Sequence, residues 1–240
     1  MGNEQEASQG WYDNEYVQHG FAAQRRYPSE ELLRFLSREF MSKLDMAERK
    51  RTRILELGCG SCANLWMVAR EGFDAWGIDF SPTALELGKR MLDSWSVSAV
   101  LQEGSFLDLP YQDLFFDAVF ETLSIHTLTK AEFELVIAQA ARVLKPGGRF
   151  FSLYPSAASD AYRNHSPAEE IEPFTLNGIF RSTSPYAGQR TIFRFATPDG
   201  YSECLKRHGL AVTHLETVAR SYRNRQEVFE TLSVAAVKLS

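Results

Sequence analysis

The sequence has few cysteines and no long apolar run, and each of these absences excludes a class of protein. Its 240 residues include three Cys, too few for a disulfide framework, so a reducing compartment such as the cytoplasm is the expected location. No apolar stretch approaches the roughly 20 residues of a membrane span, and residues 1–6 lack the apolar segment of a signal peptide. We therefore expect a cytoplasmic protein without a membrane partner.

An excess of positive charge is also absent. The 31 Asp and Glu outnumber the 26 Lys and Arg, which gives a formal net charge of −5. A surface that binds a polyanion has to neutralise phosphates with Lys and Arg. We therefore expect no nucleic-acid partner, although a local basic face can exist within an acidic average.

Short apolar runs alternate with helical segments along most of the chain. The runs cover residues 53–57, 75–78, 99–102, 116–121 and 149–154 and are typical of buried strands. Helix starts are marked by Ser81 followed by Pro82, and by a capping box of Thr129 with Glu132. The length suffices for one α/β domain but not for two full-size domains. The pattern therefore predicts a single Rossmann-like, doubly wound α/β domain with a mainly parallel sheet.

The predicted domain has four parts. Residues 1–28, polar and rich in aromatic side chains, are interpreted as an N-terminal lid or arm, and residues 50–154 as the core. Residues 155–196 follow the fifth strand without a long periodic run, so we interpret them as a cap inserted over the site. In residues 197–240 a helix starts at Thr197-Pro198, and strands at 211–218 and 228–239 follow too closely for a helical crossover. We therefore predict seven strands, the last one antiparallel.

A glycine loop follows the first predicted strand. Its sequence fits the pattern G-x-G-x-x-G/A, and Asp79 lies about twenty residues further on, where a ribose-binding carboxylate is expected: Gly58-Cys59-Gly60-Ser61-Cys62-Ala63. By this spacing alone the loop is also an NAD site. Cys59 and Cys62 form a C-x-x-C pair, which admits a thioredoxin-like dithiol. A zinc site is weakly indicated because no second cysteine pair exists, and we predict no metal.

Glu56 discriminates between the nucleoside cofactors. It places a carboxylate two positions before the first glycine, where the strand leaves the sheet. A pyrophosphate would be repelled there, whereas the sulfonium and ammonium groups of S-adenosylmethionine would be attracted. Glu56 therefore favours S-adenosylmethionine as the cofactor.

The loop and its neighbours resemble the class I S-adenosylmethionine-dependent methyltransferases. The resemblance spans about residues 50–154, the cofactor-binding core, and rests on these motifs: Ile54-Leu55-Glu56-Leu57-Gly58-Cys59-Gly60, Gly77-Ile78-Asp79-Phe80-Ser81, Leu109-Pro110 and Leu144-Lys145-Pro146-Gly147-Gly148. It implies that Gly58 and Gly60 let the backbone approach the methionine part of the cofactor, that Asp79 accepts from the ribose hydroxyls, and that Phe80 flanks the adenine.

Two positions depart from the family pattern. Cys62 stands where members commonly carry a third glycine, and Ser105 stands where many carry an Asp that accepts from the adenine amino group. Taken together, the predicted cofactor-binding residues are Arg26, Tyr27, Glu56, Gly58, Cys59, Gly60, Asn64, Asp79, Phe80, Ser81, Ser105, Phe106 and Glu121.

The acceptor side of the site is less well defined by the sequence. His126 follows the fourth strand on the cofactor side of the sheet and is the candidate general base, with local packing as the alternative. Aromatic and Arg residues of the arm and cap are candidate substrate contacts for a small, carboxylated or aromatic acceptor: Tyr12, Tyr16, Tyr154, Tyr162, Arg163, His165 and Arg194. The alternation of Arg and aromatic residues around Arg194 is equally typical of an edge strand.

We therefore predict a methyltransferase that acts on an oxygen or nitrogen of a small molecule. A protein or tRNA methyltransferase is an alternative, although no Asn/Asp-Pro-Pro-Tyr motif follows the fourth strand, where Glu121-Thr122-Leu123-Ser124 stands. An NAD-dependent reductase and a non-catalytic cofactor-binding regulator also remain open.

Overall fold

The computed structural model describes residues 10, 13–14, 16–23 and 25–240; Tyr12 lies outside this part of the chain. The strands are β1 (Arg53–Leu57), β2 (Asp74–Asp79), β3 (Val100–Glu103), β4 (Phe116–Thr122), β5 (Leu144–Pro155), β6 (Glu170–Glu172), β7 (Thr175–Leu176), β8 (Phe193–Arg194), β9 (Leu210–Tyr222) and β10 (Glu227–Lys238). The helices from residue 30 onward are α1 (Glu30–Leu36), α2 (Met46–Arg49), α3 (Leu65–Arg70), α4 (Pro82–Ser94), α5 (Lys130–Val143), α6 (Asp160–Arg163) and α7 (Pro198–Arg207).

The main sheet in the described part of the chain has seven strands in the order β3-β2-β1-β4-β5-β10-β9. Strands β1 to β5 pair in parallel, whereas β10 is antiparallel to both β5 and β9. The prediction of a mainly parallel seven-stranded sheet with an antiparallel last strand is confirmed. The chain moves outward from β1 through β2 to β3 and then returns to place β4 on the other side of β1. Such a reversal opens a crevice at the carboxyl ends of the strands.

Helices cover both faces of this sheet and enclose two apolar clusters. One cluster packs α5 and α7 against the sheet through residues such as Phe133, Ile137 and Leu205. The other packs α1, α3 and α4 against the opposite face through residues such as Phe35 and Leu65. Because both faces of the central strands are buried, the strands are continuous apolar runs rather than alternating ones.

The helix starts follow the predicted caps. Ser81 Oγ accepts a 3.0 Å hydrogen bond from the Ala84 amide, with Pro82 in the first turn. Thr129 and Glu132 form the predicted capping box, and Thr197 Oγ1 accepts from the Gly200 amide. These bonds satisfy amide groups that have no partner within the helix.

Two segments differ from the sequence interpretation. The fifth strand was predicted over residues 149–154, but β5 begins at Leu144, directly after α5. A register shift between Phe116 and Ala118 of the neighbouring β4 accommodates the longer strand. Residues 155–196 hold α6 and a small antiparallel sheet of β6, β7 and β8. Strands of two or three residues are too short to produce a periodic pattern, so the sequence showed no elements there.

A third apolar cluster supports this inserted segment. It contains Leu176, Ile179, Phe193 and Phe195 of the insertion together with Phe229 of β10. The cluster fixes the insertion against the end of the main sheet, next to the crevice.

Candidate functional site

A pocket of about 560 Å³ opens at the carboxyl ends of β1, β2 and β4, a volume within the roughly 300–1,000 Å³ typical of small-molecule sites. It lies where the strand order reverses. The pocket is lined by Tyr16, Arg25, Glu56, Gly58, Cys59, Gly60, Ser61, Ala63, Asn64, Asp79, Phe80, Phe106, Thr122, Leu123, Ser124, His126, Thr127, Pro185, Tyr186 and Gln189.

The glycine loop forms one wall of the pocket. The amides of Gly58 and Cys59 both donate to the carbonyl oxygen of Ile78, at 2.9 and 3.1 Å, which binds the loop to β2. Gly58 has a φ of +66°, and a Cβ there would lie 2.5 Å from Ser124 Cβ. Gly58 therefore combines a left-handed backbone with a close approach that other residues cannot make.

Asp79 connects the end of β2 to this loop. Its Oδ2 accepts a 2.8 Å hydrogen bond from the Gly60 amide, and its Oδ1 accepts a 3.0 Å bond from the Ser81 amide. Burial raises the pKa of Asp79, although the backbone amides oppose the shift by stabilising the carboxylate. Asp79 is thus buried, oriented and lines the pocket next to Phe80.

Glu56 lies deeper in the same pocket and is only 2% exposed. Asn64 Nδ2 donates to Glu56 Oε1 at 2.6 Å, while the buried Glu56 Oε2 has no hydrogen-bond partner among the described residues. Burial raises the pKa of Glu56 to about 8, and the hydrogen bond from Asn64 and the charge of Arg25 only partly offset this. A buried carboxyl with a free oxygen is ready to gain a cationic partner.

Glu121 lies behind the pocket wall and does not line the pocket. Its Oε2 accepts a hydrogen bond from the Ser124 amide at 3.0 Å and lies 3.2 Å from Ser124 Oγ. Ser152 Oγ donates to Glu121 Oε1, and Tyr201 donates to Ser152 at 2.7 Å. Burial raises the pKa of Glu121 to about 7. Glu121 therefore orients the loop after β4, and a contact of Glu121 with the cofactor stays a prediction.

The two cysteines of the loop are packing residues. A Cβ on Gly77 would lie 2.7 Å from Cys59 Sγ, and a Cβ on Gly88 would lie 2.6 Å from Cys62 Sγ. Cys62, at the third-glycine position of the family pattern, thus packs against α4. Its hydrogen bond with Cys59, together with burial, raises the pKa of the Cys59 thiol well above its usual range. A reactive dithiol needs the opposite, a thiol whose pKa is lowered.

His126 lies in a short 3₁₀ turn after β4, Ile125–Thr127, and lines the pocket although it is only 1% exposed. Neither ring nitrogen makes a hydrogen bond of good geometry among the described residues, although the Leu123 backbone and the Gln189 side chain lie near enough to interact with the ring. Burial lowers the pKa of His126 to about 3, and the nearby Leu123 carbonyl and Gln189 side chain only partly oppose the shift. The imidazole is therefore neutral throughout the physiological range, and its role as a general base stays a prediction.

Only some of the predicted site residues in the N-terminal segment line the pocket. Tyr16 lines the pocket beside Gly60, but Arg26 and Tyr27 do not. The Arg26 carbonyl accepts from the Trp66 indole, and Tyr27 is an exposed ring set edge-on to Trp66 and Trp95. Arg25 takes the expected place instead, with Nη2 donating to Thr122 Oγ1 at 3.2 Å. Adjacent arginines in an irregular segment give no periodic signal that distinguishes them.

Two further predicted cofactor residues serve local structure. Ser81 caps α4 and donates to Asp13 at 2.6 Å, and Ser105 Oγ accepts from the Leu107 amide at 3.1 Å. Neither lines the pocket, whereas the adjacent Phe106 does. Whether the two serines contact a bound cofactor stays a prediction.

The predicted substrate residues of the cap lie away from the pocket. Tyr154 is buried among Phe133 and Tyr201, and Tyr162 stacks near His165; Arg163 is the last residue of α6. Arg194 donates to Thr175 at 2.7 Å and pairs with Glu172 at 3.3 Å. The edge-strand interpretation of this region fits, since β8 is an outer strand of the small sheet, although Arg194 is buried and not solvated.

The cap contributes different residues to the pocket. Pro185, Tyr186 and Gln189 line it together with Leu123 and Thr127 of the loop after β4. Pro185 and Gly188 mark a turn in the sequence, but nothing in the sequence alone shows which turn of a forty-residue insertion faces the site.

Comparison with known proteins agrees with this architecture. Residues 54–148 match the family described as a methyltransferase domain. An uncharacterized methyltransferase of Synechocystis is 34% identical over 98 residues, which are 41% of this chain and 44% of that protein. A fatty-acid O-methyltransferase of Mycolicibacterium smegmatis is 32% identical over 131 residues, 54% of this chain and 46% of that one. The chain thus spans less than half the length of these two relatives.

Over residues 54–148 the chain is thus similar to the class I, S-adenosylmethionine-dependent methyltransferases. A protein of Pyrococcus horikoshii superimposes on the chain with a TM-score of 0.66 at 21% identity, covering 94% of this chain and 99% of the other. A didemethyltoxoflavin N1-methyltransferase of Burkholderia thailandensis, solved with S-adenosylhomocysteine, gives a TM-score of 0.61 at 13% identity and covers 100% and 92%. These two structures share the fold of the methyltransferase domain.

Two further findings concern other classes of site in the described residues. No group of three or more His, Cys, Asp or Glu side chains there is placed to hold a metal ion. Likewise, none of the helices in that part of the chain is both long and apolar enough to cross a membrane.

Proposed function

We propose that the protein transfers the methyl group of S-adenosylmethionine to an oxygen or nitrogen of a small-molecule acceptor. The observation that carries this proposal is that one pocket joins two sets of residues. Gly58, Gly60 and Asp79 stand at the ends of β1 and β2, while His126 and Tyr186 stand beyond β4. A cofactor and an acceptor held at these two ends would share one cavity, which is the arrangement that a direct transfer needs.

The residues present fit the cofactor. At Gly58 the backbone packs so closely against Ser124 that a Cβ would clash, and this packing sets the path of the loop that lines the pocket. Glu56 offers a buried carboxyl oxygen without a partner, suited to the ammonium or sulfonium of S-adenosylmethionine, and Asp79 is an oriented acceptor suited to hydroxyl groups. Phe80 and Phe106 add apolar surface for the adenine.

The raised pKa of Glu56 changes the argument against a pyrophosphate. At neutral pH the carboxyl is largely protonated when alone, so it repels an anion less than an ionised carboxylate would. The pocket still offers little positive charge to a pyrophosphate, because Arg25 is the one Arg or Lys among the described residues that line it. Together with the family match, this favours S-adenosylmethionine over NAD.

S-adenosylmethionine supplies an activated methyl group that an acceptor attacks in line, displacing the sulfur. The chain's own residues then have to position the acceptor and exclude water. Ser124 and Glu121 hold the loop after β4 in place, and that loop presents His126 to the pocket. Pro185, Tyr186 and Gln189 of the cap line the same end.

Similar proteins support a small acceptor. Besides the fatty-acid O-methyltransferase, the chain is 35% identical over 97 residues to a demethylmenaquinone methyltransferase of Tropheryma whipplei and 29% identical over 152 residues to a probable tocopherol O-methyltransferase of rice. Their names describe different acceptors, all of them small molecules. The net charge of −5 also favours a small molecule over tRNA.

The decisive experiment is calorimetry of the purified protein with S-adenosylmethionine, S-adenosylhomocysteine and NAD, with denaturing mass spectrometry of any co-purified ligand. We expect binding of the first two compounds and none of NAD. Binding of NAD in preference to S-adenosylmethionine would refute the proposal. A transfer assay against phenolic, carboxylic and amine acceptors then separates an enzyme from a cofactor-binding regulator, since a regulator binds the cofactor without forming a methylated product.

A further inference from the structure

The end of the pocket beyond β4 is lined by planar and uncharged side chains. It is formed by His126 and Thr127 of the 3₁₀ turn and by Pro185, Tyr186 and Gln189 of the cap. Resting on the proposed methyl transfer, we propose that this end takes an uncharged aromatic or heteroaromatic ring. That ring offers an acidic hydroxyl or ring N–H to His126, and carboxylates and aliphatic alcohols are poor acceptors.

Planar groups make up the wall of this end. The His126 ring lies 4.5 Å from the Phe193 ring and 5.8 Å from the Tyr186 ring, measured between centroids. Tyr186 in turn lies 5.0 Å from both Phe193 and Phe229. These contacts fix the two pocket-lining rings from behind, so their free surfaces are flat and rigid. Such surfaces favour another flat ring through offset or edge-to-face packing.

His126 also requires a hydrogen-bonding ligand. A neutral imidazole has one N–H donor and one nitrogen acceptor, and both nitrogens are buried with no well-formed hydrogen bond among the described residues, although Leu123 and Gln189 lie nearby. A buried polar atom without a hydrogen bond destabilises the protein, and a ligand that supplies the bond is favoured. A ring that carries a hydroxyl or N–H group satisfies the acceptor nitrogen, whereas a plain hydrocarbon does not.

The charges around this end disfavour a carboxylate. Burial keeps His126 neutral, and Gln189, which is 3% exposed, is uncharged. Arg25 is exposed, its guanidinium donates to Thr122, and its charge acts on Glu56. A carboxylate placed against His126 would therefore be desolvated without a buried cation to pair with.

The acceptor has to lose a proton during the transfer, so its acidity determines which acceptors can react. A bond forms between the acceptor atom and the methyl carbon, the carbon–sulfur bond breaks with its electron pair on sulfur, and the acceptor loses one proton. An imidazole with a pKa near 3 accepts a hydrogen bond but does not keep that proton at neutral pH, so the proton passes to water. A phenolic hydroxyl, with a pKa of about 10, can ionise in this way, whereas an aliphatic alcohol is far less acidic.

Three matched probes test the proposal: 2-naphthol, 2-naphthoic acid and decahydro-2-naphthol. They compare a phenol with a carboxylate on the same ring system and with an alcohol on the saturated one. Binding to the protein loaded with S-adenosylhomocysteine is measured by calorimetry, and methylated product is measured by mass spectrometry with S-adenosylmethionine. We expect 2-naphthol to bind at least about tenfold more tightly than the other two compounds and to be the one that is methylated.

Variants assign the preference to His126. His126→Ala should remove the preference for 2-naphthol while cofactor affinity is unchanged, and His126→Asn, which retains a hydrogen-bonding side chain, should restore part of it. His214→Ala on β9, outside the pocket, is the matched control. Preference for 2-naphthoic acid, equal binding of the saturated alcohol, or no binding of 2-naphthol at millimolar concentration would overturn the inference while cofactor binding stands. Absence of cofactor binding would instead refute the proposed function.

Discussion

The Ser124 hydroxyl donates a 2.8 Å hydrogen bond to the carbonyl oxygen of Leu57, and this bond joins the loop after β4 to the end of β1. It crosses the point where the strand order reverses, so it couples the cofactor loop to the turn that carries His126. Ser124 is held from behind by Glu121. The resulting close contact leaves room at position 58 only for a residue without a Cβ.

Gly58→Ala should abolish measurable cofactor binding, because the new Cβ would lie 2.5 Å from Ser124 Cβ and displace the loop. The matched control is Gly147→Ala, where φ is +75° but no atom lies within 4 Å of the added Cβ. Both variants carry the strain of a left-handed backbone, about 1 kcal/mol, so thermal unfolding should report a loss in both. Normal cofactor affinity of a folded Gly58→Ala variant, measured by calorimetry, would show that the loop is not at the binding site.

The two adjacent arginines, Arg25 and Arg26, give a second comparison. Arg25→Ala should weaken binding of S-adenosylmethionine by about tenfold, because a pocket-lining charge that donates to Thr122 is lost. Arg26→Ala should have little effect, since the Arg26 contact with Trp66 is made by its backbone carbonyl. Titration calorimetry measures the affinity of both variants for S-adenosylmethionine. A larger loss of affinity in Arg26→Ala than in Arg25→Ala would show that Arg26, the residue predicted from the sequence, contacts the cofactor.

The sequence was sufficient for the central sheet and for the glycine loop, and the reason is local. Strands β1 and β4 are buried on both faces and therefore appear as apolar runs. Ser81 and Thr129 mark the starts of α4 and α5 with side-chain caps. Gly58 and Asp79 sit at fixed positions relative to those strands. Functional residues at the end of a regular strand or helix can be located from the sequence, because the pattern of that element shows where it ends.

The acceptor end could not be predicted because its residues are set by long-range packing. Tyr186 lines the pocket only because Phe193 and Phe229 fix it from behind, and Phe229 belongs to β10, more than forty residues further along the chain. The neutral state of His126 likewise follows from burial under the cap. Neither burial nor contact between distant segments is visible in a single sequence.

Asp79→Asn should weaken binding of S-adenosylmethionine by roughly 1–3 kcal/mol. The Asn side chain has only one acceptor oxygen, so it cannot accept from both the Gly60 and Ser81 amides, and the ribose loses a charged acceptor. The matched control is Asp74→Asn at the other end of β2, where the side chain pairs with Trp76 and Arg53 at the surface. Equal affinities of the two variants in calorimetry would refute the role of Asp79.

The stability of the ligand-free protein should fall as the pH rises from about 6.5 to 8. Burial raises the folded-state pKa of Glu56 to about 8 and of Glu121 to about 7, above the unfolded value of 4.5. The folded state therefore holds more protons in this window, and stability is lost as they leave. His126, whose pKa is lowered to about 3, has the opposite effect, but little of that effect remains above its unfolded pKa of about 6.5, so it offsets only a small part of the loss.

The expected loss over this window is on the order of 2 kcal/mol. Denaturant unfolding at a series of pH values measures it, and Glu56→Gln, which cannot ionise, should reduce the slope. A stability that is constant or rises between pH 6.5 and 8 would show that these carboxyls are not held neutral in the folded state.

Binding of S-adenosylmethionine should release a proton from Glu56. The carboxyl is largely protonated at pH 7 when its Oε2 has no partner, and a cationic ligand favours the ionised form. Affinity should therefore increase as the pH rises toward about 8 and then level off, by up to about tenfold per pH unit below that value. Calorimetry at pH 7 in two buffers with different enthalpies of ionisation gives the number of protons released.

Two variants separate Glu56 from the titration of the ligand itself. In Glu56→Gln the site cannot lose a proton, so the release and the dependence of affinity on pH should both disappear, with weaker binding at every pH. Glu86→Gln, an exposed residue of α4 paired with Lys89, should behave as the unaltered protein. If the release persists in Glu56→Gln, the proton comes from the ligand or another group, and Glu56 is not the carboxyl that meets the cationic cofactor.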